Sequence, residues 1–209
     1  DALVLEANPL KDAELRTYFQ KQAHQEGLIF EKGVFEELLI KSSFDFSDVQ
    51  KNLAFLKGYK TEGNISSQDI AEAIPKSLQD NIFDMTQLLL RGQIQGVREL
   101  VHDLRLQGED EIKLIAVMLG QFRTYLQVKL LSAQGKSEQQ IVSSLSDYLS
   151  RKVNPFQVRY AIRDSRHLSV AFLKTTIKIL VETDYQIKTG TLDKDYLFDL
   201  ALLKIASNR

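Results

Sequence analysis

The chain of 209 residues carries 27 Lys and Arg against 28 Asp and Glu, a net charge of −1, and is 44% hydrophobic. It has no Cys, no Trp and three His (His24, His102, His167), which excludes disulfides and cysteine nucleophiles and leaves little material for a metal centre. The longest uncharged run of its most apolar helical stretch, residues 114–122, is far short of the roughly 20 residues a bilayer span needs, so no membrane span is expected there. The lack of Cys fits a reducing compartment, with the cytoplasm as the default.

The opening residues lack the basic and apolar regions of a signal peptide. Ala2-Leu3-Val4-Leu5 is the one β-like run, and a lone strand is unstable by itself, so residues 1–8 are expected to be the remnant of a preceding domain. From about 11 to 26, Leu15, Tyr18, Phe19 and Ala23 form one apolar face of a helix that stops at Gly27. Val34, Phe35, Leu38 and Leu39 mark a second helix, and Val49, Leu53 and Leu56 a third over 46–57. After a turn at 61–64, Ser66 and Asp69 have the spacing of a capping box for a short fourth helix, which Pro75 ends.

Residues 76–81 contain one apolar side chain and follow a helix-ending proline, so a linker between two domains is expected there. Helices then follow over about 82–90 and 93–106. The stretch 110–134 is the centre of the second half. Fourteen of its twenty-five residues are apolar and only Arg123 and Lys129 are charged between Leu114 and Leu131, so most of its circumference must face protein. Asp110 and Glu111 suit the positive end of its dipole, and Gly135 its stop. Ser137 and Gln140 cap the next helix. Asn154-Pro155 places a capping side chain before a proline at the first helical position, opening a helix over 155–166. A long amphipathic helix over 168–188 and a last helix over about 193–206, apolar nearly all round, complete an all-α chain.

Four motifs have chemical readings. Gly135-Lys136-Ser137 resembles the end of a phosphate-binding loop, but Leu130 stands where that loop needs glycine and a helix precedes it, so a helix stop and cap are the better reading. His102-Asp103 could begin a phosphohydrolase metal site, with His24 or Asp164 as further ligands. Val97, Leu100, Val101 and Leu104 define that helix's buried face, however, which puts the pair on its wet side. Arg159, Arg163 and Arg166 share one helix face near Arg151, Lys152 and His167, a candidate patch for an acidic partner or phosphate. Asp184 and Lys188 have the spacing and order of a helical ion pair, with Lys188 also a candidate partner contact. Charge is uneven: residues 1–80 hold nine basic against fourteen acidic side chains, and residues 151–209 eleven against six.

The sequence resembles the delta subunit of the bacterial DNA polymerase III clamp loader. The resemblance lies in the Asn-Pro-Phe-Gln-Val-Arg segment at 154–159, Leu168-Ser169 opening a long helix, and the Asp184-x-x-x-Lys188-x-Gly190 ending. Gln121-Phe122-Arg123, Asn81-Ile82-Phe83-Asp84, Ile65-Ser66 and Asp45-Phe46 followed by Leu56 and Tyr59 extend it over nearly the whole chain. It implies a small helical AAA+-type lid over 9–75, a linker over 76–81 and a helical-bundle collar over 82–209 through which loader subunits join, after a RecA-like domain of which residues 1–8 would be the end. It further implies a subunit with no catalysis and no cofactor. The expected partners are the other loader subunits, the sliding clamp through the RecA-like domain, and primer-template DNA. Asn52-Leu53-Ala54-Phe55 stands where the family usually shows Glu and Lys. The last helix offers more apolar residues (Tyr196, Leu197, Phe198, Leu200, Leu202, Leu203) than one buried face uses, so Tyr196 and Phe198 join Arg159, Arg163, Arg166 and Lys188 as candidate partner or DNA contacts. A helical module that binds RNA or another nucleic acid through the basic C-terminal half is the alternative.

Overall fold

The computed structural model describes residues 10–42, 44–60, 63–150, 153–190 and 192–208. The Ala2 to Leu5 run, Arg151 and Lys152 lie outside them. Among the described residues there are eleven helices and no strand, and the chain is all-α. It divides into two compact units, Asp1–Pro75 and Lys76–Arg209, each with its own apolar core.

The first unit consists of α1 (Asp12–Gln25), α2 (Val34–Lys41), α3 (Phe46–Tyr59) and α4 (Ser67–Ala73). Leu15 and Phe19 of α1, Leu38 and Leu39 of α2, Val49, Leu53 and Leu56 of α3 and Ile70 of α4 meet in one core. Asp45 caps α3, and Ser66 caps α4 in a box with Asp69, the latter as its spacing predicts. Lys60 and the Ser66 backbone and hydroxyl hold the Asp69 carboxyl down to about 2. Two loops between helices touch through an isolated parallel bridge, Phe30 to Ile65. Lys41 of α2 reaches over to donate to the carbonyls of Ile70 (3.5 Å) and Ile74 (3.2 Å), satisfying the end of α4. In the segment that departs from the family pattern, Asn52 donates to the Ser42 hydroxyl at 2.9 Å and Leu53 is in the core.

The linker expected over 76–81 is shorter than its composition suggests. Helix α5 (Leu78–Arg91) already begins at Leu78. Ser77 and Asp80 form a capping box, with the Asp80 amide donating to the Ser77 hydroxyl and the Ser77 amide to the Asp80 carboxylate, both at 3.1 Å. The polar residues that read as linker are a helix start, and Asn81 is buried in it.

The second unit continues with α6 (Ile94–Leu106), α7 (Glu111–Ala133), α8 (Glu138–Leu149), α9 (Pro155–Ser165), α10 (Val170–Lys188) and α11 (Lys194–Ser207). Helix α7 is the axis: α5, α8, α9, α10 and α11 all pack on it, which is why apolar residues occupy most of its circumference. Leu114, Ile115, Met118, Phe122 and Val128 are completely buried. Gln121 links α5 to α7, accepting from the Thr86 hydroxyl at 2.8 Å and donating to Tyr125 at 2.8 Å. Burial pushes the Tyr125 hydroxyl up to about 12. Gly135, at φ +76°, ends α7 in the left-handed conformation that only glycine adopts freely, and Ser137 then caps α8.

Among the described residues no buried side chain belongs to both cores. Scanning calorimetry should therefore show two transitions, or one broad transition whose calorimetric enthalpy exceeds the van't Hoff value. A single transition with equal enthalpies would mean that the units melt together.

Candidate interaction surface of the second unit

Helix α9 carries the arginine face, and its position is fixed at both ends. Asn154 accepts from the Phe156 amide at 2.9 Å with Pro155 in the first turn, while Lys129 of α7 donates to the carbonyls of Ser165 and Arg166, each at 3.1 Å. Val158, Ala161 and Ser165 face inward, which leaves Arg159, Arg163 and Arg166 outside on one side of the helix. The arginines are partly neutralised. The Arg159 guanidinium holds Glu138 of α8 through Nε (3.1 Å) and Nη2 (2.9 Å), and the carboxylate raises its pKa. Arg163 donates to Asp164 at 2.8 Å and lies 5.0 Å from the Tyr160 ring centroid. Arg166 caps the end of α9 and is exposed.

On α10, Lys188 pairs with Asp184 at 2.7 Å; the lysine is 55% exposed and the aspartate 23%, a helical ion pair with one leg toward the protein. The opposite flank buries Phe172, Leu173, Thr176, Leu180 and Thr183. Its outward side shows Lys174, Lys178, Val181 and Tyr185.

Helix α11 separates its apolar residues as an interface helix would. Leu197, Phe198, Ala201, Leu202 and Ile205 enter the core, while Tyr196 and Leu203 are more than half exposed and Leu200 is partly so. Phe198 is therefore removed from the candidate contacts: its side chain is wholly buried, and a helix apolar nearly all round gives the sequence no periodicity from which to choose a face. Tyr196, Leu200 and Leu203, at spacings of four and three, form the outward stripe.

A charge network that sequence reading missed fixes this orientation. Arg105, in the last turn of α6, donates to Glu111 at 2.9 Å, to Asp199 of α11 at 3.0 Å and to the Asp195 carbonyl at 3.2 Å. Lys194 of α11 pairs with Asp110 and, at 3.1 Å, with Glu111. Glu111 is only 2% exposed. Burial works against its charge, yet the hydrogen bonds from Arg105 and Lys194 outweigh that and lower its pKa. Burial, followed by the neighbouring Glu111 carboxyl, raises that of Asp195. The acids at 110 and 111 read in sequence only as dipole partners of α7. Their second role depends on Arg105 across the turn from α6 and on Lys194, 84 positions from Asp110, a pairing that local spacing cannot reveal.

The remaining motifs are plainly placed. His102 and Asp103 are exposed on α6, and among the described residues no group of three His, Asp or Glu is arranged to hold a metal. Lys136 donates to the Ser144 hydroxyl at 2.9 Å. Among the described residues no helix is long and apolar enough to cross a membrane.

Residues 79–205, almost the whole second unit, match the family model described as DNA polymerase III delta subunit, C-terminal domain. The chain belongs to the DNA polymerase III delta subunit family. It is 34% identical over 160 residues to the DNA polymerase III subunit delta of Bacillus subtilis (strain 168), covering 77% of this chain and 44% of that one. It also superposes on the solved Bacillus subtilis DNA clamp loader delta protein with a TM-score of 0.77 and 28% identity, covering 97% of this chain and 58% of the other. The chain thus spans less than half the length of the curated delta relative and somewhat more than half of the solved one. The family match supports the delta resemblance read from Asn81-Ile82, Gln121-Phe122 and the 154–159 segment.

Proposed function

We propose that this chain is the lid and collar portion of a cytoplasmic clamp-loader delta subunit, and that its second unit joins the other loader subunits without catalysing a reaction itself. The observation that carries this reading is the coincidence of the family match over 79–205 with a helical unit whose last helix keeps Tyr196, Leu200 and Leu203 outside a filled core. Sliding-clamp loading would then use the wider subunit, and the arginines of α9 with Lys188 would face acidic neighbours or the primer-template DNA. The Arg159–Glu138 pairing supports α9 as a surface prepared for carboxylates, since its guanidinium already holds one at the rim.

The test mixes the folded chain with the other loader subunits of the same organism and follows complex formation by size-exclusion chromatography, with ATP binding by the chain alone measured in calorimetry. A stoichiometric complex and no saturable ATP binding are expected. Reversing Arg159→Glu should weaken assembly or DNA-dependent clamp loading while leaving the melting temperature nearly unchanged, because that side chain is 63% exposed. Arg163→Glu should weaken the same functions but also lower the melting temperature, since it strips the cation from an Asp164 side chain only 7% exposed. Absence of any complex, together with salt-dependent binding of nucleic acid by the chain alone, would replace this reading with a nucleic-acid-binding module.

A further inference from the structure

The outward side of α10 is a composite surface that the core and the arginine face leave unused. Lys174, Lys178, Val181, Tyr185 and Lys188 recur at spacings of four, three, four and three, so their side chains form one stripe along the helix. At 1.5 Å per residue that stripe is about 21 Å long. Its centre is apolar, with Val181 44% and Tyr185 68% exposed. Its ends are cationic. Lys174 and Lys178 form no ion pair with any described residue, and Lys188 is balanced only by Asp184 on the flank. The exposed acid beside the stripe is Glu182.

An apolar centre within a charged rim is the anatomy of a protein interface, in which the middle excludes water and the rim selects the partner. A nucleic-acid track would instead set cations and ring faces in continuous register with phosphates and bases, whereas here Val181 occupies the middle. The lysines are point charges on flexible stems and suit separate carboxylates. Charge and spacing together define the complement.

We infer that this face of α10 docks an acidic amphipathic helix of a neighbouring loader subunit, with two apolar side chains three or four apart over Val181 and Tyr185 and carboxylates about a turn beyond them on each side. The inference rests on the assembly reading above and adds the face and the chemistry of the partner to it. It also separates two roles on the second unit: α11 offers a mainly apolar stripe, and α10 a charge-selective one.

The experiment compares the wild-type chain, Lys174→Glu with Lys178→Glu, and Tyr185→Ser for binding to the other loader subunits at low and high salt. Circular dichroism and melting temperature serve as folding controls. All three positions lie on the outward side of α10, so the variants should fold as the wild type does. At about 0.1 M salt the double lysine variant should bind roughly tenfold more weakly, with the gap narrowing as salt rises. Tyr185→Ser should lose about tenfold at every salt concentration. Wild-type affinity for both variants at both salts overturns the inference while leaving the assembly reading intact. If the wild-type chain forms no complex at all, it is the assembly reading that fails. A loss confined to primer-template DNA binding, with subunit assembly unchanged, would assign the stripe to nucleic acid and likewise overturn the inference.

Discussion

Phe122→Ala should destabilise the second unit by on the order of 3–5 kcal/mol, seen as a lower urea midpoint in circular dichroism with little change in the first unit's transition. Phe122 has no exposed surface and sits at the middle of α7, with its ring edge-on to Tyr125 at 5.9 Å. The cost belongs at the upper end for a core aromatic because the cavity cannot easily close. Five helices pack on α7, and drawing one inward to fill the gap would pull it off its other neighbours. A loss below about 1 kcal/mol would mean that α7 is not the common axis of the unit.

The second large effect is electrostatic. Glu111→Ala should cost about 3 kcal/mol, since it removes the most buried acceptor of Arg105 and leaves a largely buried guanidinium with Asp199 and the Asp195 carbonyl, neither of which meets its Nε at hydrogen-bond distance. The effect is held to that size because Lys194, the other cation at this acid, is about half exposed and can turn to water. A pH dependence accompanies it. The folded-state pKa of Glu111 lies below its usual 4.5, so its contribution is complete above about pH 4.5 and is lost as pH falls through the lowered folded value. Asp110, lowered first by Lys194 and then by the Ile112 amide, has the same sign. Asp195 has the opposite sign: its raised pKa makes a contribution present below its usual 3.8 and lost as pH rises through the folded value, which partly offsets the other two. The second unit should therefore weaken in acid below about pH 4.5, and Glu111→Ala should flatten that limb. Equal acid sensitivity in wild type and variant, measured by urea titration across about pH 3 to 6, would remove Glu111 from this role.

The helices are legible in the sequence because their signals are local. Ser66 with Asp69, Ser137 with Gln140, Asn154 with Pro155 and Gly135 each sit within a turn of the boundary they set. The start of α5 differs from expectation even though its capping box is equally local, because Ser77 and Asp80 lie in a polar stretch behind a proline and have the composition of a linker. The candidate interaction surface is harder to read. On α9 the buried Val158 and Ala161 divide the helix cleanly and the arginine face stands out. On α11 apolar residues occur on every side of the helix, so only packing against α5, α7 and α10 decides that Phe198 turns in and Tyr196 out. The stripe on α10 is written in the sequence as Lys174-x3-Lys178-x2-Val181-x3-Tyr185-x2-Lys188. Apolar periodicity alone follows the opposite side of that helix.

The bridge between the loops of the first unit has a kinetic consequence. The Glu31 amide donates to Ile65 at 2.9 Å and the Ile65 amide to Ile29 at 2.6 Å, joining segments about 35 residues apart along the chain. Helix turns form from neighbours within microseconds, but this pair can close only after the intervening chain has been gathered, so it is among the last pairings to form in folding. The Ile65 amide, on a residue only 1% exposed, should then exchange with solvent more slowly than the amides of the exposed turn beside it, so that a single loop peptide reports when the two segments part.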